Sequence, residues 1–254
     1  MTTIHPHPDR RWLTGLALAA AAFFIFVPRI PQDEAYHQFA DGRAIAGVPN
    51  FWNVVSNLPF AVVGILGLRK LHGLTNRVLF TGVLLTCFGS AYYHWAPSDA
   101  RLVWDRLPMT VIFMSFLTCV IAEKKDTRST VNILALLLVL GVGSVVWWGV
   151  TNDLRPYAAI KFGPILLLLP FLWSSSERAY LWALLGLFGL AQVAELSDPA
   201  IYSLIPLSGH TAKHFIASGA TYCILQWRLV RQQSPQPQLS AEKAKVTIGA
   251  NHEN

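Results

Sequence analysis

Five residues of types that bind metals or transfer protons lie in two separated motifs. His210 and His214, in Ser-Gly-His-Thr-Ala-Lys-His, are four residues apart, so on a helix they project from the same face. His94 ends the segment Gly-Ser-Ala-Tyr-Tyr-His, Ser90 lies one helical turn before it, and Asp105 follows in Trp-Asp-Arg-Leu-Pro-Met. Three histidines that leave a fourth position open are the ligand arrangement of catalytic zinc. A carboxylate beside such a site is a candidate general base.

Each of these residues taken alone also has an ordinary structural interpretation. Two histidines on one helix face occur by chance, and His94 fits an aromatic belt because its neighbours are Tyr and Trp. Asp105 could pair with Arg106 or Arg101, and Ser90 could bond a helix carbonyl. The metal-site hypothesis therefore depends on whether the elements bring the residues together.

The composition shows which kind of element carries these residues. Of 254 residues, 53% are hydrophobic and only 13% are charged, with a mean hydropathy of +0.41, whereas soluble domains carry about 25% charged residues. Continuous apolar runs exclude the alternating strands of a membrane barrel. They predict eight hydrophobic helices: 12–27, 51–69, 77–96, 103–122, 131–150, 157–173, 179–195 and 210–230.

The predicted fold is therefore all-α, a polytopic membrane helix bundle with a seven-span core and an extra N-terminal hydrophobic helix. Residues 1–30 form that extra helix, either a retained span or a cleaved signal segment. Retention is favoured because the small residues Ala19 to Ala22 lie too early in the apolar run for a cleavage site. Residues 31–230 form the core. Residues 231–254 form a polar cytoplasmic tail whose composition predicts disorder.

The formal net charge of +6 is explained by membrane topology. Thirteen of the 20 Lys and Arg residues fall on one side when both termini are placed in the cytoplasm, as the positive-inside rule requires. This removes the reason to expect a nucleic-acid partner. The lack of an evident long targeting segment favours a bacterial inner membrane over an organellar one. The same topology places His94, Asp105, His210 and His214 at one depth near the outer face. Lys213 is expected to extend away from the histidines to the interface.

The ordered set of Ser90, His94, Asp105, His210 and His214 resembles the alkaline ceramidase family, as does the segment 49–60, Pro-Asn-Phe-Trp-Asn-Val-Val-Ser-Asn-Leu-Pro-Phe. The resemblance covers about 33–230. It implies that the three histidines bind Zn²⁺ and that Asp105 and Ser90 are catalytic. The implied reaction is hydrolysis of ceramide, or of another N-acyl lipid taken from the bilayer, to a fatty acid and a long-chain amine. The wider superfamily includes adiponectin-type receptors, so the alternative is a receptor-like protein with a structural zinc ion.

The resemblance also raises the question of a Ca²⁺ site before the first core span. Oxygen donors are available from Asp33, Glu34, Asp41 and Asn50. However, the chain lacks the family's Asp-Trp-Cys-Glu pattern, and Asn50 stands where the family usually has Glu. An ordinary acidic outer loop is the alternative. Protein partners are not predicted.

Overall fold

A computed structural model describes residues 10–121, 126–172 and 178–233, and within them the chain is helical. The α-helices, in chain order, are α1 (Arg10–Phe26), α2 (Phe51–Val55), α3 (Leu58–Lys70), α4 (Leu74–Trp95), α5 (Asp99–Ile121), α6 (Thr127–Thr151), α7 (Arg155–Leu172), α8 (Arg178–Leu196), α9 (Asp198–Leu204) and α10 (Gly209–Gln233). A 3₁₀ turn spans Glu34–His37 in the loop that follows α1. The predicted tail lies beyond Gln233, almost entirely outside the described residues.

Each predicted hydrophobic helix is present, except that the one predicted at 51–69 is divided into α2 and α3. The number of membrane spans stays a prediction. Five segments are long and apolar enough to cross a bilayer, which indicates an integral membrane protein. They are Phe51–Lys70, Leu74–Trp95, Asp99–Ile121, Thr127–Thr151 and Arg178–Leu196. The other predicted spans correspond to α1, α7 and α10. Of these, α10 carries His, Ser and Thr on its buried face.

The distribution of polarity suits a lipid environment. Large apolar side chains lie on the outside, among them Val150, Phe88 and Leu136, while Asn53 and Ser56 are fully buried. In a bilayer no hydrophobic force drives helices together, so close backbone approach and interhelical hydrogen bonds must hold the bundle. The most extensive helix contacts are those of α4 with α5 and of α8 with α10.

A proline and a glycine set the approach of α4 to α5. Pro108 lies inside α5 and has no N–H to donate to the carbonyl of Trp104, four residues earlier. Gly89 of α4 packs directly on this carbonyl, since a Cβ atom at Gly89 would lie only 2.1 Å from the Trp104 oxygen. Ser90 and Asp105 are the next residues after this contact, so the close approach brings them together.

A second proline separates α2 from α3. Pro59 lies in the first turn of α3 and cannot donate to the α2 carbonyl four residues earlier. The Asn57 side chain donates to another α2 carbonyl, that of Asn53, at 2.8 Å. The break gives this short segment a cluster of buried polar side chains that face α10.

Candidate metal centre and adjoining cavity

Three histidines meet at the end of the bundle where α4 ends and α10 begins. His94 lies in the last turn of α4, and His210 and His214 lie in the first two turns of α10. All three are buried, and one ring nitrogen from each lies within 4.8 Å of the others. The predicted trio is therefore brought together in a geometry that could hold a metal ion.

Two of the ring nitrogens are spaced like the ligands of one zinc ion. The Nε2 atoms of His94 and His210 are 3.4 Å apart. Ligands at about 2.0–2.1 Å from a tetrahedral zinc ion are separated by about 3.3–3.4 Å. The observed separation therefore fits one edge of a zinc tetrahedron.

Polar side chains fix the histidines from behind. The Nδ1 atom of His214 is 2.7 Å from the Ser56 hydroxyl, which leaves Nε2 to face the other two rings. The backbone N–H of His210 donates to Asp198 at 2.7 Å. Asn50 donates its side-chain N–H to the main-chain carbonyl of His94 at 2.9 Å. Each contact comes from a different helix or loop, so the site depends on tertiary assembly.

The loop after α1 covers the histidines. The Phe39 ring packs on His94 and His210, with ring centroids 4.8 and 4.5 Å away. Two residues earlier, His37 lies 2.9 Å from the Tyr93 hydroxyl, which joins the loop to the end of α4. This loop excludes water from one side of the candidate metal centre.

Ser90 and Asp105 lie at the wall of a cavity beside the histidines. Both are buried, and both line the same cavity. The cavity has a volume of about 340 Å³, and His214 also lines it. It therefore connects the metal centre to the serine–aspartate pair.

Polar groups lie at one end of the cavity and apolar groups at the other. On α5 the lining runs from Asp105 to Phe116, and on α10 from Lys213 to Ile224. Each pair is eleven residues apart, so the cavity extends about 16 Å along the helices. Leu, Ile and Phe side chains dominate the deeper part. This shape suits a long apolar chain with a polar end held at the histidines.

Similarity to known proteins is found at the level of the family. The ceramidase family model matches residues 43–175, just over half of the chain. The chain belongs to the ceramidase family. Neither the curated proteins nor the solved structures include a significant match. The matched segment contains Ser90, His94 and Asp105, whereas His210 and His214 follow it, so their assignment depends on the geometry above.

Lys213 in this ceramidase-family chain does not extend to the interface, and the prediction that it does was wrong. Its Nζ atom bonds the Glu195 carboxylate, and the lysine lines the cavity. Glu195 belongs to the last turn of α8. A buried carboxylate on a neighbouring helix makes the inward position of the lysine favourable. Tyr36 also donates to Glu195, at 3.0 Å.

Three of the four residues proposed for Ca²⁺ bond separate partners. Asp33 caps the 3₁₀ turn, and Glu34 is exposed in that turn. Arg43 bonds both carboxylate oxygens of Asp41, and these hydrogen bonds hold the pKa of Asp41 below its usual value. Asn50 bonds the carbonyl at the end of α4. Among the described residues the histidine trio is the metal-type cluster found, and the calcium site stays a prediction.

Sequence reasoning missed the residues that support the histidines. Asn53 accepts a hydrogen bond from Thr211 at 2.7 Å and donates to the Asp41 carbonyl at 3.2 Å. Asn53 and Ser56 are polar residues inside an apolar run, and that signal could have marked them as partners of a buried site. Asp198 had no such signal, because in the sequence it lies between two predicted spans, where a polar residue is typical of an ordinary loop.

Proposed function

We propose that the protein is a zinc-dependent intramembrane amidohydrolase that cleaves ceramide or a related N-acyl lipid. The observation that carries this proposal is the buried trio of His94, His210 and His214 beside Ser90 and Asp105 in one cavity. Family membership supports amide hydrolysis. The products would be a fatty acid and a long-chain amine.

The roles of the side chains follow from their positions. When bound, a zinc ion supplies a Lewis acid and lowers the pKa of water from about 15.7 to about 7. Asp105 accepts a proton from the attacking water on a carboxylate oxygen and later returns it to the leaving nitrogen. Ser90 donates a hydrogen bond to the developing oxyanion. Phe39 and the loop around it exclude bulk water from the histidines.

The cavity supports a lipid substrate drawn from the bilayer. The apolar part beyond Asp105 holds the acyl chain, and the scissile amide lies at the polar end. The proposed placement is a bacterial inner membrane with both termini cytoplasmic and the zinc site near the outer face. Seven core spans within residues 31–230 and a preceding helix within residues 1–30 complete this proposal.

The receptor-like alternative does not account for the serine–aspartate pair. A structural metal needs ligands that close its coordination, but it needs neither a proton acceptor nor an oxyanion donor. Ser90 and Asp105 occupy buried positions on the cavity wall, where an uncompensated carboxylate is costly. Their position supports hydrolysis over a purely structural metal.

The test is fatty acid release by purified, zinc-loaded protein from short- and long-chain ceramides, together with the metal content. His210→Ala is expected to lose zinc, and Asp105→Asn to keep zinc while losing about 10²–10⁴-fold in turnover. His72→Ala alters an exposed histidine and serves as the control. Full zinc retention by His210→Ala would contradict the ligand assignment. Undiminished hydrolysis by Asp105→Asn would contradict the assignment of Asp105 as the proton acceptor.

A further inference from the structure

The cavity carries more positive than negative side chains. Arg106, Lys161 and Lys213 line it, against the two carboxylates of Asp105 and Glu195. The lysine on α10 and the glutamate on α8 form an ion pair. A bound Zn²⁺ would add further positive charge. Since buried charges require compensation, the cavity as built is suited to an anionic occupant.

Arg106 is the clearest sign of a missing anion. It is 6% exposed, and no carboxylate lies within salt-bridge distance of it among the described residues. One terminal nitrogen donates to the Gln32 side chain at 2.6 Å, while Nη1 is buried without a hydrogen-bond partner. The guanidinium lies 4.0 Å from the Trp148 ring and 4.8 Å from the Tyr157 ring. Aromatic faces stabilise a cation but do not neutralise it.

Lys161 places a second cation in the same cavity. It lies on α7, one turn deeper than Tyr157, and its Nζ atom is 5.2 Å from the Phe162 ring. In the described part of the chain no acceptor is within hydrogen-bonding distance of this ammonium group. A lysine inside a membrane bundle is costly, which marks it as a candidate for substrate binding.

We propose that Arg106 and Lys161 form a carboxylate-binding subsite for the amine portion of the substrate. The substrate class would be acidic N-acyl lipids such as N-acyl amino acids, in preference to neutral ceramides, so an amino acid would replace the long-chain amine as the second product. This inference rests on the proposed amidase function.

The direction of the substrate follows from the cavity. The apolar part toward Phe116 takes the acyl chain, so the amine side of the amide faces the polar end, where Arg106 follows Asp105 on α5. A guanidinium presents a planar pair of donors that matches a carboxylate. The lysine contributes a second, flexible donor.

A matched pair of amides tests the subsite. N-palmitoylglycine and N-palmitoylethanolamine share the same acyl chain. The first ends in a carboxylate, whereas the second has a neutral hydroxymethyl group in its place. Wild type is expected to favour the glycine amide by about tenfold or more in kcat/KM, the discrimination typical of a charged hydrogen bond. Arg106→Gln and Lys161→Gln should each remove most of this preference through KM, with little change for the ethanolamide. Arg101→Gln, which alters an arginine that stacks on Tyr92 outside the cavity, is the control.

Binding to metal-depleted protein separates this inference from the amidase proposal. Binding is followed by tryptophan fluorescence, because Trp148 contacts Arg106. Arg106-dependent binding of N-palmitoylglycine with no hydrolysis of any amide would contradict the amidase function and keep the subsite. Hydrolysis of both amides at equal kcat/KM, unaffected by Arg106→Gln and Lys161→Gln, would overturn the subsite.

The bound carboxylate could belong to the amine portion of the substrate or to the fatty acid product, and palmitate binding distinguishes the two. If the subsite binds the amine portion of the substrate, Arg106→Gln should weaken N-palmitoylglycine binding much more than palmitate binding. An equal loss for both ligands would assign the subsite to the fatty acid product and overturn the proposed substrate class.

Discussion

Gly89→Ala tests whether the contact between α4 and α5 positions the serine–aspartate pair. The new methyl group would lie 2.1 Å from the carbonyl oxygen of Trp104, whereas a carbon and a carbonyl oxygen in contact are about 3.3 Å apart. The helices must therefore separate by about 1 Å. A backbone carbonyl inside a helix cannot rotate away as a flexible side chain can.

Two opposing effects determine the expected stability. Overpacking costs about 1–3 kcal/mol, and a rigid backbone neighbour favours the upper value. Alanine gains about 1 kcal/mol over glycine in a helix. A net loss of about 2 kcal/mol would lower Tm by roughly 4–8 °C for a chain of this size.

Activity should respond more strongly than stability. A displacement of about 1 Å at a reacting centre reduces the rate by about 10²-fold, because Ser90 and Asp105 directly follow the two contact residues. The assays are thermal unfolding in detergent, zinc content and fatty acid release. Gly143→Ala on α6 is the matched control, since a Cβ atom there meets nothing within 4 Å. Wild-type stability and turnover in Gly89→Ala would refute the reasoning.

Two further substitutions test the support of the histidines and the loop before α7. Ser56→Ala removes the hydroxyl that orients His214, and chelator competition should show a zinc affinity lower by about 10–100-fold; Ser203→Ala, at an exposed serine, should leave it unchanged. Hydrogen bonds from Arg155 lower the pKa of Asp153 to about 2, so this carboxylate stabilises the fold above about pH 4 and loses that contribution as pH falls toward about 2. Asp153→Asn should therefore flatten the dependence of Tm on pH in this window, and an unchanged slope would contradict the assignment.

The predicted helices match the structure because lipid-facing segments are apolar along their whole length. A run of about 20 apolar residues identifies a span regardless of what it packs against. The short helix α9 and the 3₁₀ turn were missed, since a few polar residues in a loop show no such run. The break before Pro59 was also missed, although the proline itself indicated it.

The candidate site was predicted less completely than the helices. Membrane depth can be estimated from the positions of Lys and Arg, and it placed His94, Asp105 and His210 near one level. The direction in which a side chain points around the helix axis depends on neighbouring helices. Lys213 shows the difference, because its inward position follows from Glu195 on α8, which the sequence alone did not pair with it.

The metal centre and the cavity are joined through the same short polar segment. The Nδ1 atom of His214 lies within hydrogen-bonding distance of the Ser56 hydroxyl, and the same side chain lines the cavity. Asn57 also lines the cavity, and its side-chain oxygen is buried without a hydrogen-bond partner. A helix continuing unbroken through Pro59 would rotate these polar groups relative to α10. The break therefore costs a backbone hydrogen bond, while Ser56 orients a histidine and the Asn57 side-chain oxygen is left as an acceptor at the cavity.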